Sequence, residues 1–442
     1  MTFSGPEIDR GILLVLGLTV LVLFYLVLRH TPRTAVALAL ATICFVPIWV
    51  GAGIGFNANL FLPAASVVAV LAIAALLPVA GFRFSSVDAV VLFLTAVAAS
   101  SMFTGKTSVA LSFLTTVFVT FLPGYVLGRI AVARVGLSWL YGAVAVVFTG
   151  VAILAIIEFV FGWNPFVLVS QGSASLFEQW GPLQERGGIV RAEGAFGHSI
   201  ALGSSLAMAI PLTFGSSFRL PIRAGMTLLM LIASAFTFSR IGIVGALLGL
   251  VLSLAFLRGA ATVATRLVLL AVTAIVTAAL VPVVLGVFTE AGTEASGSAS
   301  YRGDLLSLIG DMNLIGISDL ARHAPTGELY FQNFQSIDSQ LILTGITSGA
   351  IALVAILIAL AGALVLMVTG RASAATIAVV AQIPALATVA LITQYSTLLW
   401  FVVGVAASSQ LATRPASTAL VEPPVLIKPA IPRRPVTSTR GT

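Results

Sequence analysis

The chain has 442 residues, of which 59% are hydrophobic and only 8% are charged. A soluble domain carries about 25% charged residues, so a water-soluble fold is excluded because it could not bury this much apolar surface. The net charge of +7 is explained by the sidedness of a membrane protein, and no nucleic-acid partner is expected. The single cysteine, Cys44, lies in an apolar run, which excludes a disulfide framework and a cysteine-based metal site.

The apolar runs are mostly about 17–25 residues long and lack strand alternation, which is typical of membrane-spanning helices rather than of a β-barrel. They predict an all-α polytopic membrane protein with about 12–13 transmembrane helices and two long extracytoplasmic loops. The predicted spans are 11–28, 34–53, 60–81, 87–103, 107–128, 138–162, 198–215, 224–238, 241–257, 267–289, 340–369, 374–393 and 396–411. No small-residue cleavage site follows the first run, so it is predicted to be retained rather than removed as a signal peptide.

The basic residues predict the orientation of the membrane domain, residues 1–411. Fifteen of the 22 basic residues, Arg129 among them, fall in alternate short loops or in the C-terminal tail, and cytoplasmic segments are enriched in Lys and Arg. The two long loops, 163–197 and 290–339, are therefore predicted to face outward, and with thirteen spans the N-terminus would also lie outside. The tail 412–442 is rich in Pro, Ser, Thr and Arg and is predicted to be a disordered cytoplasmic extension.

Three arginines on the predicted outer face lie close to apolar spans. Arg191 precedes the seventh span, Arg240 interrupts two apolar helices in "FTFSRIGIVGALLG", and Arg302 opens "YRGDLLSLIGDMNLIGISDL". The apolar spacing after Arg302 predicts an amphipathic helix on the outer surface. Arginine suits phosphate because its planar fork makes two parallel charge-assisted bonds. The alternatives are solvation or lipid headgroups for Arg191 and Arg302, and for Arg240 snorkelling or pairing with Glu158.

His198 and Asp338 are the candidates for proton transfer. Each has two interpretations: a cap on the helix that follows, or a group that acts on a hydroxyl as a base. The sequence has no phosphate-binding loop of the nucleotide type and no acid pair spaced like a divalent-metal motif. We therefore expect a reaction that uses no cofactor and no metal, in which arginines supply the positive charge.

Four blocks occur in order along residues 140–370: "VRAEGAFGHSIALGSSLAMAIPL", "FSRIGIVGALLGLVL", "YRGDLLSLIGDMNLIGIS" and "SIDSQLILTGITSGAIAL". They resemble segments of the O-antigen ligase and Wzy-type polysaccharide polymerase superfamily. The resemblance implies a glycosyltransferase of the bacterial inner (plasma) membrane with an extracytoplasmic active face. It would transfer glycan from an undecaprenyl-diphosphate (polyprenyl-diphosphate) carrier to a hydroxyl of a glycan, lipid or protein acceptor.

By the same resemblance, Arg191, Arg240 and Arg302 hold the diphosphate, and Asp338 or His198 acts on the acceptor. The sequence departs from the family at two points. The ligases carry a histidine near the end of the second loop, where this chain reads Ser-Ile-Asp at 336–338, and His198 is followed by Ser-Ile rather than Pro-Asn. The aspartate resembles the polymerase-type members, which favours polymerisation or transfer to an acceptor other than lipopolysaccharide.

Two other classes of function stay open at this stage. A transporter or flippase of an anionic lipid-linked substrate predicts charges near the middle of the membrane and internal repeats. A non-catalytic scaffold predicts that the arginines are dispensable while the outer loops are not.

Overall fold

A computed structural model describes residues 19, 22–55, 59–79, 82–103, 107–257, 262–268, 270–271, 274–275, 278, 301, 303–323 and 329–413. Arg302 lies outside the described residues, as do most of the predicted span 267–289, much of the predicted span 11–28 and the tail from residue 414.

The structure is 75% helical, which confirms the all-α class. The helices are α1 (Pro32–Phe45), α2 (Ala64–Leu76), α3 (Ser86–Ser100), α4 (Thr107–Thr116), α5 (Leu122–Val135), α6 (Leu137–Phe161), α7 (Ala174–Trp180), α8 (Ser199–Phe214), α9 (Leu220–Phe236), α10 (Arg240–Phe256), α11 (Gln340–Ser348), α12 (Ala350–Val368), α13 (Ala374–Ala381), α14 (Ile383–Thr388) and α15 (Thr393–Thr413). The strands form three antiparallel hairpins within the described chain: β1 (Gly51–Gly55) with β2 (Asn59–Pro63), β3 (Glu185–Arg186) with β4 (Ile189–Val190), and β5 (Ala321–His323) with β6 (Leu329–Phe331).

Several helices indicate a membrane protein. Within the described residues, four are long and apolar enough to cross a bilayer: Ser86–Phe103, Thr107–Val135, Leu137–Phe161 and Ala350–Val368. On the last of these, Ile358 is 67% exposed and Val365 is 60% exposed, and such side chains are stable there only in an apolar surrounding. Six further apolar helical segments of the described chain have 10–17 residues, if α13 and α14 are counted together as Ala374–Thr388. The predicted number of spans, twelve or thirteen, stays a prediction.

The predicted spans 34–53 and 60–81 are shortened, because Gly51–Gly55 and Asn59–Pro63 form a hairpin rather than helix. Two other predicted spans are each divided into two helices. The span 340–369 divides at Gly349, which has φ of +98°, and a Cβ there would lie 2.6 Å from the carbonyl oxygen of Leu314. Only glycine adopts this backbone readily, so it separates α11 from α12. The span 374–393 divides between α13 and α14, where Pro384 occupies the first turn of the new helix and lacks the N–H that an unbroken helix needs there.

The amphipathic helix predicted after Arg302 is a 3₁₀-helix, Leu305–Asp311. Leu305 and Leu308 are buried, while Leu306 and Ile309 are 59% and 50% exposed. Residues three apart eclipse each other in a 3₁₀-helix, so the buried pair forms one edge, which packs with α11. A helical element is therefore present in this tighter form, but two residues of the predicted apolar face, Leu306 and Ile309, are exposed instead of buried.

Helix α8 is the centre of the bundle, and α10 packs closely along it. A Cβ built on Gly242 would lie 2.8 Å from the Cα of Gly203, and one on Gly249 would lie 3.0 Å from the carbonyl oxygen of Ala207. The later residue of α10, Gly249, contacts the later residue of α8, Ala207, so α8 and α10 run parallel. Small residues permit this approach of two backbones, and it puts both N-termini at the same end of the bundle.

Contacts along helix α15 identify the two ends of the helix bundle. Near its start, the Gln394 amide donates to the carbonyl oxygens of Ala195 at 2.7 Å and Val46 at 2.8 Å; near its end, the Ser408 hydroxyl accepts from Arg129 at 2.6 Å. Residues 394 and 408 are separated by roughly 21 Å, since an α-helix rises 1.5 Å per residue. We call these the Gln394 end and the Ser408 end.

A buried ion pair lies at the Ser408 end. Arg129 donates from Nε and Nη2 to both carboxylate oxygens of Asp88, at 2.7 and 2.8 Å, and also to the Arg83 carbonyl oxygen. The Tyr125 hydroxyl donates to the same carboxylate. The prediction that Arg129 lies in a loop is wrong: it is inside α5 and 5% exposed, because Asp88 compensates its charge.

Candidate functional site

A two-residue turn positions the first of the predicted site arginines. In the β3–β4 hairpin Arg186 pairs with Ile189, and Gly187 and Gly188 between them have φ of +56° and +73°. Positive φ at both central positions is the requirement of a type I′ turn, which Gly-Gly meets without strain. The hairpin extends by one more bond, from Arg191 N to the Gln184 carbonyl oxygen at 3.0 Å. Arg186 and Arg191 are thereby held on one short ribbon.

The ribbon is fixed to the turn between α9 and α10 by three consecutive carbonyl groups. The carbonyl oxygen of residue 236 accepts from Ala192 N at 3.1 Å, that of residue 237 from Arg191 Nε at 2.9 Å, and that of residue 238 from Arg186 Nη1 at 3.3 Å. Phe238 has φ of +45°, which is uncommon for a residue with a side chain. The turn therefore presents its carbonyl groups to the ribbon in an unusual backbone conformation.

The guanidinium of Arg191 is oriented but incompletely bonded. Besides the Nε bond, Nη1 lies 3.4 Å from the Gln184 side-chain oxygen, while the buried Nη2 has no hydrogen-bond partner in the described part of the chain. The residue is 5% exposed. Burial, together with the charge of Arg186, lowers the pKa of Arg191 to about 10, so it stays charged at neutral pH. A buried cation with spare donors fits an anionic ligand.

Glu158 organises the loop that follows Arg191. Its carboxylate accepts from the Asn164 side chain at 2.8 Å, from Glu193 N at 3.1 Å and from Gly194 N at 2.8 Å. These three donors are its partners in the described residues, so the predicted alternative in which Glu158 pairs with Arg240 is wrong. The carboxylate instead fixes the backbone immediately before His198.

Glu193 is the second buried carboxyl group here. It is 1% exposed; Oε1 accepts from Gln184 N at 3.2 Å, and Oε2 has no hydrogen-bond partner among the described residues. Burial raises the pKa of Glu193 to about 8, aided by the neighbouring Glu158. Glu193 is therefore mostly protonated at neutral pH. Gln184 contacts both Glu193 and Arg191, which links the carboxyl group to the arginine without a direct ion pair.

His198 caps α8, which is the first of its two predicted interpretations. Its Nδ1 accepts from Ile200 N at 3.1 Å, and its ring meets that of Trp180 edge-on at 5.8 Å. A backbone N–H can only donate, so neutral His198 carries its proton on Nε2. Burial, with the charges of Arg191 and Arg186, lowers the pKa of His198 to about 4. In this geometry His198 can donate a hydrogen bond from Nε2, whereas its accepting nitrogen is already occupied.

Arg240 is the first residue of α10 and is exposed, directly after the cap Ser239, whose hydroxyl accepts from Gly242 N at 3.2 Å. Because α8 and α10 are parallel, His198 and Ser239 mark two helix N-termini at one end. Each helix N-terminus carries about half a positive charge, and helix termini of this kind bind anions. Arg186, Arg191, Arg240 and these two termini form what we call the cation cluster.

Asp338 lies at the same end but on a separate segment. Its Oδ1 accepts from the Ser336 hydroxyl at 3.0 Å, and the Tyr301 hydroxyl donates to the Ser336 carbonyl oxygen. The predicted interpretation of Asp338 as a helix cap is wrong, because Ser339 is the cap of α11. Two positions after Asp338, the Gln340 backbone N–H donates to the Val389 carbonyl oxygen, and the Gln340 side-chain oxygen accepts from Leu391 N. Helix α15 begins two residues after Leu391, and its Gln394 donates to the Ala195 carbonyl oxygen. These bonds place the segment of Asp338 at the Gln394 end.

The structure thus brings together Arg191, Arg240 and His198 of the predicted site residues, with Asp338 at the same end of the bundle; Arg302 lies outside the described residues. Sequence reasoning missed Arg186 and Gln184. The signal for Arg186 was present, since Gly-Gly between Glu185-Arg186 and Ile189-Val190 predicts a hairpin. Nothing local to Gln184 indicated its role.

No protein-family model matches the chain, and a search of curated proteins found no significant match.

Proposed function

We propose that the protein is a membrane glycosyltransferase that uses a polyprenyl-diphosphate-linked glycan to polymerise or ligate a cell-surface polysaccharide. The observation that carries the proposal is the cation cluster, in which Arg191 has a buried, oriented and partly unbonded guanidinium at the N-termini of two parallel apolar helices. A diphosphate can lie on such a cluster while its hydrocarbon chain stays in lipid. The sequence resemblance supplies the class of donor.

The reaction follows from the charges. The acceptor hydroxyl oxygen attacks the anomeric carbon of the glycan, the bond from that carbon to the diphosphate oxygen breaks, and the diphosphate leaves with the electron pair. The negative charge that develops on the leaving group is stabilised by the arginines and helix termini, which are already oriented. His198 suits donation from Nε2 to a phosphate oxygen. Asp338, whose carboxylate has spare acceptor capacity, suits the hydroxyl proton better than His198 does.

In the outward orientation proposed here, the Gln394 end faces the extracytoplasmic side of the bacterial inner membrane and the C-terminus is cytoplasmic. Ligase and polymerase activities share this chemistry and differ in the acceptor.

The proposal is tested by transfer from a purified lipid-linked donor in proteoliposomes. Arg191→Ala should lower the transfer rate by about 10²–10³-fold, the loss typical of removing one donor to a developing anion. Arg186→Ala and Arg240→Ala should also lower it. Arg322→Ala is the control, since Arg322 is exposed in β5 and bonds the Gln332 carbonyl oxygen. Full activity of all three cluster variants would contradict the proposal, and translocation of labelled lipid without transfer would favour a flippase.

Asp338→Asn separates the acceptor step from donor binding. It should lower the turnover number by about 10²–10⁴-fold, as for loss of a general base, and leave binding of the donor unchanged. Ser336→Ala, which removes the hydroxyl bonded to Asp338, should have a smaller effect. A normal turnover number for Asp338→Asn would exclude Asp338 as the base.

A further inference from the structure

A large apolar cavity lies away from the cation cluster, between α3, the α4–α5 region, α11, α12, α13 and α15. Its volume is about 1170 Å³, above the roughly 300–1,000 Å³ of ordinary small-molecule sites. Gln410 at one end of α15 and Leu391, just before α15, both line it. The cavity therefore extends roughly 25 Å along the bundle, by the rise of an α-helix. That length and lining fit a hydrocarbon chain rather than a compact polar ligand.

The two ends of the cavity differ in charge. At the Ser408 end it is lined by Arg371 together with Ser85, Ser86 and Gln410. The backbone of Arg371 is held by Leu366 and Gln410, and in the described part of the chain its exposed guanidinium has no side-chain partner. The Asp88 carboxylate nearby is neutralised by Arg129. This end of the cavity therefore presents net positive charge.

The end of the cavity near Gln394 has an uncharged lining within the described residues. It is lined by Gln340, Thr344 and Ser348, and Asp338 precedes Gln340 by two residues. None of the arginines of the cation cluster lines the cavity. The difference in charge favours one orientation of a bound amphiphile, in which the phosphate headgroup contacts Arg371 and the apolar chains extend toward the Gln394 end.

We propose that this cavity is a binding site for an anionic glycerophospholipid of the bilayer, with its phosphate on Arg371 and an acyl chain between α3, α12 and α15. A basic side chain near the membrane surface attracts anionic headgroups, and Arg371 is the one basic residue among the described residues that line the cavity. The site is separate from the cation cluster and does not rest on the proposed glycosyl transfer.

Gly362 offers a direct way to fill the cavity. It lines the cavity from the middle of α12, and a Cβ built on it meets no atom within 4 Å. Gly362→Phe should therefore occupy the acyl-chain space without displacing backbone. Gly225→Phe is the matched control, because Gly225 is a helical glycine with equally open space that does not line the cavity.

The test is native mass spectrometry of the full-length protein titrated with phosphatidylglycerol or with phosphatidylcholine. Wild type should retain phosphatidylglycerol in preference to phosphatidylcholine. Arg371→Ala should bind phosphatidylglycerol roughly fivefold more weakly, the effect of one basic residue at an anionic lipid, and Gly362→Phe should lose it. Gly225→Phe and Arg134→Ala, the latter an exposed arginine at the end of α5, should behave as wild type.

Fluorescence locates the bound chain. Trp400 lines the cavity and stacks on Phe121 at 5.6 Å, so phosphatidylglycerol with brominated acyl chains should quench it by contact. The quenching that is lost in Trp400→Phe is the part that arises from Trp400. This part should also be lost in Gly362→Phe, because the acyl chain is then excluded from the cavity. Equal retention of the two phospholipids, or retention unaffected by both Arg371→Ala and Gly362→Phe, would overturn the proposal. A third result would also overturn the proposal: polyprenyl phosphate displaces phosphatidylglycerol equally well from wild type and from Arg371→Ala. The cavity would then bind the polyprenyl chain of the glycan donor rather than a phospholipid.

Discussion

Arg191 shows how a single side chain can be both structural and available. Its Nε is held by the Thr237 carbonyl oxygen and its Nη1 is near Gln184, which fixes the plane of the guanidinium. The buried Nη2 keeps donors for a ligand. A lysine has no planar fork, so Arg191→Lys would keep the charge but lose this geometry. The geometry is the reason to place a phosphate oxygen here.

At the same scale, Glu193 predicts a pH dependence. Its pKa is raised from 4.5 to about 8, so between these pH values the folded protein keeps a proton that the unfolded chain has released. Stability should therefore fall as pH rises through this window. Glu193→Gln resembles the protonated form and removes the titration. The melting temperature of Glu193→Gln minus that of wild type should therefore increase from pH 5 to pH 9. Thermal unfolding in detergent measures this difference.

His198 titrates in both proteins and cancels in that comparison. Glu178→Gln is the control, because it makes the same substitution at an exposed position on α7. A constant difference between Glu193→Gln and wild type across pH 5–9 would show that Glu193 is not buried as the structure has it.

At the scale of elements, the contact between α8 and α10 decides where the two helix N-termini lie. Gly242→Ala should destabilise the protein by about 1–3 kcal/mol, the usual cost of overpacking, because the new Cβ would lie 2.8 Å from the Cα of Gly203. Gly225→Ala has open space and should be neutral or slightly stabilising, since alanine favours a helix over glycine. Thermal unfolding in detergent measures both, and equal melting temperatures would contradict the close packing.

The elements themselves were largely predictable from the sequence, and their exceptions have local causes. The length of the apolar runs was a good guide: the predicted span 138–162 differs by one residue at each end from the helix Leu137–Phe161. It failed at Gly349, where the backbone on the far side of the break bonds the distant residues Asn313 and Leu314 and where a side chain would collide with Leu314. The 3₁₀ form of Leu305–Asp311 likewise depends on packing against α11.

The site was less predictable than the elements. Arg191 could be selected because charge is rare in this chain, but the carbonyl group that accepts from its Nε lies 46 positions away. Arg186, which sequence reasoning missed, bonds a carbonyl group 52 positions away. The pairing of Asp88 with Arg129 across 41 positions is of the same kind. Such contacts arise from how helices pack, which a single sequence does not encode locally.

At the scale of the whole molecule, the two ends of α15 predict two sides of a membrane. Ser175 is exposed on α7, the helix whose Trp180 contacts His198. Ala133 is exposed at the end of α5 beyond Arg129. In intact cells a membrane-impermeant maleimide should label Ser175→Cys, whereas Ala133→Cys should react only after permeabilisation. The wild-type protein is the background, since Cys44 is buried. The opposite pattern would invert the proposed orientation.

The central claim is that the cation cluster binds the diphosphate of a lipid-linked donor. The most direct measurement is the affinity of purified protein in nanodiscs for a polyprenyl diphosphate, compared across Arg191→Ala, Arg191→Lys and the control Arg322→Ala. We expect Arg191→Ala to bind about ten- to a hundredfold more weakly, as for loss of a hydrogen bond to a charged group. Arg191→Lys should be intermediate and Arg322→Ala unchanged. Binding by Arg191→Ala with the affinity of wild type would contradict the claim.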